Sequence, residues 1–237
     1  CSSRGIKLNS PIILALDTKD VNQASQWIEH TRDSISVFKI GLELFLRIGI
    51  AGTKNLIKDH NIEIFLDLKL HDIPNTVREA VSSVSELAPR FLTVHASGGA
   101  EMVQAAVAAS GRTSITAVTI LTSLSNQEVA EIGFAKNALE SATNLARIST
   151  AAGATSIVCS PFEVAAIREI VPSHVNLITP GVRPSDSDAG DQKRVMTPSE
   201  ALSAGANFVV IGRPITSYAQ RSLADLKARA AEILSSL

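Results

Sequence analysis

Cysteine is scarce in this chain: Cys1 and Cys159 are the two among 237 residues. A disulfide-stapled secreted scaffold needs more, so a reducing, cytoplasmic setting is expected. Long apolar runs are missing as well. None approaches the roughly 20 residues that cross a bilayer, and the N-terminal "CSSRGIKLNS" has no apolar core of the signal-peptide kind. There is no block of like charge either. Lys and Arg nearly balance Asp and Glu, for a net charge of −1, which gives no footing for nucleic acid or a charged membrane surface. No cofactor fingerprint and no cluster at metal-ligand spacing is present.

What the chain does have is apolar content, 45% of its residues, enough for one substantial core. It is parcelled into eight short runs: "IILALD" from Ile12, "ISVFKIG" from Ile35, "IEIFLDLKL" from Ile62, "RFLTVHA" from Arg90, "SITAVTI" from Ser114, "TSIVCS" from Thr155, "VNLITPG" from Val175 and "NFVVIGR" from Asn207. Their Val, Ile, Phe and Thr content suits strands. They begin about 28 residues apart on average, the length of a strand plus a helix with its loops. Helix-period segments lie between them, such as "VNQASQWIEHTR" and "NTVREAVSSVSELA". "KNALESATNLARISTAAG" ends in a glycine suited to a helix C-terminus, and "PFEVAAIREIV" starts with Pro161, which suits a first helical turn. Alternating strand and helix argues for a parallel sheet, and eight units argue for an α/β fold of the (β/α)8 TIM-barrel kind. An open doubly wound sheet usually needs fewer strands. Residues 1–10 are expected to be a lead-in and residues 11–237 one barrel domain.

In such a barrel the site forms at the C-terminal ends of the strands. The polar residues there are Asp17, Lys39, Asp67 with Lys69, His95, Thr119 to Thr122, Ser160, Arg183 and Gly212 with Arg213. "FLDLKLHDIPNT" is the unusual stretch, since it sets Asp67, Lys69 and Asp72 at the end of an apolar strand. Alternation sends Leu66, Leu68 and Leu70 to the outer helices and the charged pair to the interior. Lys39, on the face expected for Ile35 and Val37, could reach the same space. Each residue has a plainer reading: Lys69 in an ion pair that fixes the barrel mouth, Asp72 as a helix-capping signal before Pro74, Lys39 as a stem along an apolar wall. Together they are harder to explain by stability, because burying several charges costs several kcal/mol per ion unless they interlock.

A second cluster follows strands seven and eight. Gly212 opens a turn into a helix, and Arg213 offers a planar fork suited to phosphate oxygens. The long polar loop "TPGVRPSDSDAGDQKRVMTP" reads either as a lid or as a solvated excursion. This pair of loops is the usual phosphate site of the fold. His71, His95 and Cys159 read as wall or core residues.

With these pieces on the page, the chain resembles the orotidine 5′-monophosphate decarboxylase family. The matching segments, in order, are "LALD" at Leu14 to Asp17, "FKIG" at Phe38 to Gly41, "FLDLKLHDIPNTV" at Phe65 to Val77 and "VTILTSL" at Val118 to Leu124. They continue with "TPGVRP" at Thr179 to Pro184, "AGDQKRVMTP" at Ala189 to Pro198 and "VIGRPI" at Val210 to Ile215. The resemblance implies decarboxylation of orotidine 5′-monophosphate (OMP) to UMP in pyrimidine synthesis, with no metal and no organic cofactor. It implies Lys69 as proton donor, Asp67 pressed against the substrate carboxylate, and Lys39 and Asp72 completing a charge network. Asp17 and Lys39 would hold the ribose and Thr122 the pyrimidine. Arg183, Gln192, Gly212 and Arg213 would hold the phosphate or close over it, and Val182 would be a further substrate-binding residue. Asp72, Ile73 and Thr76 would enter the site of a partner subunit in a homodimer.

The chemistry is consistent with such a site. Loss of CO₂ from pyrimidine carbon 6 leaves an in-plane lone pair that the ring cannot delocalise, so without an electron-sink cofactor fixed protein charges must stabilise it. Three rivals use the same scaffold. A keto-sugar-phosphate decarboxylase shares D-x-K-x-x-D but uses Mg²⁺ and has an acid in place of Lys39. A Schiff-base aldolase would need Lys69 neutral, which flanking carboxylates oppose. A catalytically dead nucleotide-binding barrel would have no reason to keep all four charges.

Overall fold

The structure, a computed structural model, describes residues 10–184 and 196–237. Eight strands alternate with helices in chain order. They are β1 (Ile12–Ala15), α1 (Val21–Thr31), β2 (Val37–Gly41), α2 (Leu42–His60), β3 (Glu63–Leu70), α3 (Pro74–Val84), β4 (Phe91–His95), α4 (Gly99–Ala109) and β5 (Ser114–Val118). Then come α5 (Asn126–Glu131), α6 (Ala138–Ala151), β6 (Ser156–Val158), α7 (Val164–Ile170), β7 (Asn176–Thr179), α8 (Pro198–Ser203), β8 (Phe208–Ile211), α9 (Arg213–Thr216) and α10 (Leu223–Ser235). Each strand pairs in parallel with the next, and β1 pairs with β8 to close the barrel. This is the (β/α)8 architecture expected from the eight apolar runs.

Two apolar clusters follow from strand alternation. The larger lies between sheet and helices and includes Leu14, Phe38, Leu66, Leu92 and Leu177. The smaller fills the barrel and includes Ile13, Val37, Phe65, Phe91, Ile178 and Phe208. Phe91 is its hub, with edge-on contacts to Phe65 at 5.7 Å and Phe208 at 5.5 Å between ring centroids. Arg90 lies over the Phe91 and Phe208 rings and pairs with Glu63 at 2.9 Å, closing the end of the barrel opposite the site.

Several helix boundaries have readable causes. Asp20 caps α1 by accepting from the Asn22 N–H, and Gly153, with φ of 99°, follows the last turn of α6 as expected. Two expectations, and the plainer reading of Asp72, need correction. Pro161 is not in the first turn of α7, which starts at Val164; it lies in a turn where the Glu163 carboxylate accepts the Ser160 N–H. Ile35 does not share the face of Val37: it precedes β2 and packs in the outer cluster. Asp72 does not cap α3, because its carboxylate accepts the N–H of the adjacent Ile73. Residues 1–9 lie outside the described residues, whereas Ser10 is buried and accepts the Ile12 N–H.

Phe91→Ala would remove the ring that joins the interior cluster. A loss of about 3–5 kcal/mol in unfolding free energy is expected, read as a lower denaturant midpoint at unchanged slope. A loss below about 1 kcal/mol would mean that the interior collapses to fill the gap.

Candidate active site

The C-terminal ends of the strands surround a cavity of about 330 Å³. Asp17, Lys39, Asp67, Lys69, Thr122, Arg183, Gly212 and Arg213 all line it. It is thus the meeting place of both groups singled out in the sequence, the charged strand ends and the arginines that follow β7 and β8.

The charges form an alternating chain. The Lys39 ammonium lies 3.2 Å from Asp17 and 3.6 Å from Asp67, and the Lys69 ammonium lies 2.8 Å from Asp67. The Lys39 and Asp67 side chains in the middle of the chain are 12% and 13% exposed, whereas those at its two ends, Lys69 and Asp17, are 32% and 60% exposed. Burial opposes ionisation of Asp67. The Lys39 and Lys69 ammoniums, with hydrogen bonds from Lys69 and Thr93, outweigh it and hold the carboxyl below the ordinary aspartate range. Gly41 leaves room for this arrangement, since a Cβ there would stand 3.0 Å from the Lys39 Nζ.

Asp67 and Lys69 meet as expected, but not by plain alternation. Leu66 pairs with Leu92, and the next pair is Leu70 with Val94, so β3 bulges between Leu66 and Leu70. Lys69 sits in this bulge with φ of 50°, in the left-handed region. For a residue with a Cβ that conformation costs about 1 kcal/mol or more, and such strain concentrates at functional sites. The sequence carries no sign of it.

Other residues named from the sequence fall elsewhere. Asp72, Ile73 and Thr76 are exposed beyond β3 and do not line this chain's cavity. Val182 is fully buried in the outer cluster, and its carbonyl accepts from Arg183. Gln192 lies outside the described residues. Thr119 turns its hydroxyl to the Val158 carbonyl, and Ser160 borders a separate pocket with Asn126 and Asn137. His95 packs against His71, with ring centroids 5.3 Å apart and the rings tilted by 42°, and does not line the cavity; burial, then His71 and Lys69, lower its pKa while Asp67 pulls the other way. Cys159 is fully buried and burial pushes its thiol up, as suits a core residue. Among the described residues, no three His, Cys, Asp or Glu side chains are grouped to hold a metal ion, and no helix is long and apolar enough to cross a membrane. Sequence reasoning missed Ser123, a cavity neighbour of Thr122, and Thr93, a buried residue that reads as an ordinary β-branched strand position.

Residues 10–226 match the model of the Orotidine 5'-phosphate decarboxylase / HUMPS family. The chain belongs to this family. An orotidine 5'-phosphate decarboxylase from Thermobifida fusca (strain YX) is 51% identical over 207 residues, covering 87% of this chain and 89% of the relative. One from Paramagnetospirillum magneticum is 42% identical, covering 89% and 93%. The crystal structure of orotidine 5'-phosphate decarboxylase from Lactobacillus acidophilus superposes with a TM-score of 0.80 at 33% identity, covering 95% of this chain and 98% of that one. For this decarboxylase-family barrel, the likeness extends through the whole strand–helix cycle that carries the cavity.

Asp67 also makes a prediction about pH. Its native pKa is depressed, so as pH falls the unfolded chain takes up the proton first. The stabilisation from its ion pairs is complete above the ordinary aspartate value of about 4 and is lost as pH falls through the depressed native value. Asp67→Asn lacks this component. The stability gap between wild type and Asp67→Asn, measured by thermal unfolding, should therefore narrow as pH falls below about 4; a constant gap would contradict the assignment.

Proposed function

We infer that the chain is an orotidine-5′-phosphate decarboxylase, converting OMP to UMP and CO₂ in pyrimidine biosynthesis, and that it does so without metal or organic cofactor. The observation that carries this reading is the alternating chain Asp17–Lys39–Asp67–Lys69, opening into the same cavity as Arg183 and Arg213. Lys39 also separates it from the keto-sugar-phosphate branch, which has an acid there.

In this reading the phosphate binds Arg213, the Gly212 turn and Arg183, and Gln192, which lies outside the described residues, is a further phosphate contact. Thr122 contacts the pyrimidine, and Asp17 with Lys39 holds the ribose hydroxyls. The substrate carboxylate then lies against Asp67, whose charge disfavours it until it leaves. The bond from carbon 6 to the carboxylate breaks, CO₂ departs, and the electron pair stays on carbon 6 beside the Lys69 ammonium. Lys69 stabilises that charge electrostatically and then gives up one proton, forming the C–H bond of UMP and leaving a neutral amine that is reprotonated from solvent. Phosphate contacts, remote from carbon 6, supply binding energy that is expressed in the transition state. A nucleotide carrying both a phosphate and a carboxylate does not cross membranes unaided, so the enzyme works where its substrate is made, in the cytoplasm.

The active site is shared in a homodimer. Lys69 ends the charge chain as a partly exposed cation, and the next group called for is a carboxylate. Asp72 is exposed on the following loop beside Ile73, which is 65% exposed, and on the preceding helix α2 Leu42 and Leu46 are exposed too. These exposed apolar side chains support the reading of this face as an interaction surface, on which a two-fold partner would bring Asp72, Ile73 and Thr76 to the neighbouring cavity.

Two experiments test these points. Lys69→Ala should lower kcat by more than about a hundredfold while binding UMP nearly as well as wild type; a folded variant with near-normal turnover would overturn the mechanism. Lys69→Ala and Asp72→Ala, each inactive alone, should regain about a quarter of wild-type activity when unfolded, mixed and refolded together, because half the dimers are mixed and each of those has one intact site. Recovery near zero, with mixed dimers verified by mass, would assign Asp72 to its own chain.

A further inference from the structure

We propose that Thr93, on β4, is a positioning residue that sets the relative placement of Asp67 and Lys69. The inference rests on the catalytic reading of that pair given above. Thr93 is fully buried, lies on the interior face two residues beyond Phe91, and does not line the cavity, so it acts through its neighbours rather than on substrate.

The Lys69 backbone N–H donates to the Thr93 Oγ1 at 2.8 Å, and that hydroxyl donates to the Asp67 Oδ1 at 3.1 Å. The same Asp67 oxygen accepts from the Lys69 Nζ at 2.8 Å. The directions are forced: an N–H can only donate, and a carboxylate can only accept. One hydroxyl thus joins the backbone and side-chain ends of Lys69 through Asp67 in a closed ring. It does so at the bulge, where Lys69 has left-handed backbone and the β3–β4 register shifts. A bulged strand has lost ladder hydrogen bonds that would fix it, and the Thr93 hydroxyl replaces one from the side.

A single atom that both accepts and donates is a requirement of this geometry. Ser meets it. Val has nearly the shape of Thr but leaves the Lys69 N–H and one Asp67 lone pair without this partner, a large cost inside a protein. Freed of the tether, the Lys69 ammonium would wander from carbon 6, and displacements near 1 Å at a reacting group can cost about a hundredfold in rate. The charged and titratable groups around Asp67 are Lys39 from β2 with Asp17 behind it, Lys69 on its own strand, and His95 beside Thr93 on β4. Removing the hydroxyl takes away one stabiliser of the carboxylate, so the acid limb of the pH profile should move to higher pH.

The test measures kcat, KM, UMP affinity and the pH profile of kcat/KM for Thr93→Val, Thr93→Ser and Lys69→Ala beside wild type, with folding checked by circular dichroism. Thr93→Val should lose about 10- to 100-fold in kcat with KM and UMP affinity nearly unchanged, and its acid limb should rise. Thr93→Ser should restore both rate and limb to near wild type. A folded Thr93→Val with wild-type kcat and an unmoved acid limb overturns the proposal, as does a Thr93→Ser no better than Thr93→Val. If Val does not fold, Thr93→Ala takes its place, and equal kcat and equal acid limbs for Ala and Ser overturn it. Lys69→Ala separates the two layers: if it keeps normal turnover the catalytic reading itself fails, whereas if it is dead and Thr93→Val is normal only the role of Thr93 falls.

Discussion

The Asp67 carboxylate lies 2.8 Å from one ammonium and 3.6 Å from another, and the rest of the barrel mouth is arranged around that contact. An ammonium and a carboxylate as poorly hydrated as Lys39 and Asp67 are tolerable only if each charge faces its opposite. β2 supplies Lys39, β3 supplies Asp67 and Lys69, and β1 leads into Asp17, so three adjacent parallel strands are needed to bring the set together. Gly41 leaves space for one ammonium, and a backbone bulge delivers the other. Under the charges, Phe65, Phe91 and Phe208 make an apolar floor that keeps the electrostatics strong.

Much of this could be read from residue order. Short Val- and Ile-rich runs at regular intervals are the signature of alternating strand and helix, and eight of them close a barrel. Asp67 and Lys69 two residues apart at a strand end imply a shared side, and they do share it. The cause was hidden, because alternation predicts a regular strand whereas Lys69 sits in left-handed backbone at a bulge. Nothing in "FLDLKL" announces a bulge: no Gly or Asn marks it, and it is held by tertiary contact with Thr93. Thr93 itself was invisible for the same reason, since a β-branched residue in a strand needs no special explanation. Other signals were present and went unread. Ser125 with Glu128, and Ser222 with Asp225, begin α5 and α10, helices that the sequence reading did not single out. The plainer reading of Asp72 as a helix cap rested on a carboxylate before Ile-Pro, but the structure leaves it exposed and accepting from its neighbour's N–H.

The physical picture is of charge held fixed before the substrate arrives. Water would have to reorganise around a developing carbanion, at a cost paid in every turnover. A network already locked by opposing charges, backbone and a buried hydroxyl has little left to reorganise. The cost is met in folding instead, as desolvation and as strain at Lys69. Arg183 and Arg213 line the same cavity as the lysine–aspartate pair, and the proposed mechanism divides the labour between them: the arginines bind a group that does not react, and the pair acts on the one that does.

The central claim is that these fixed charges alone carry out the decarboxylation. Its most direct test is turnover of OMP by the chain after exhaustive dialysis against a strong chelator, followed by the fall in absorbance as OMP becomes UMP. Undiminished turnover, unaffected by added Mg²⁺, is the result this account predicts. Absence of turnover, or turnover that returns only when Mg²⁺ is restored, would contradict it.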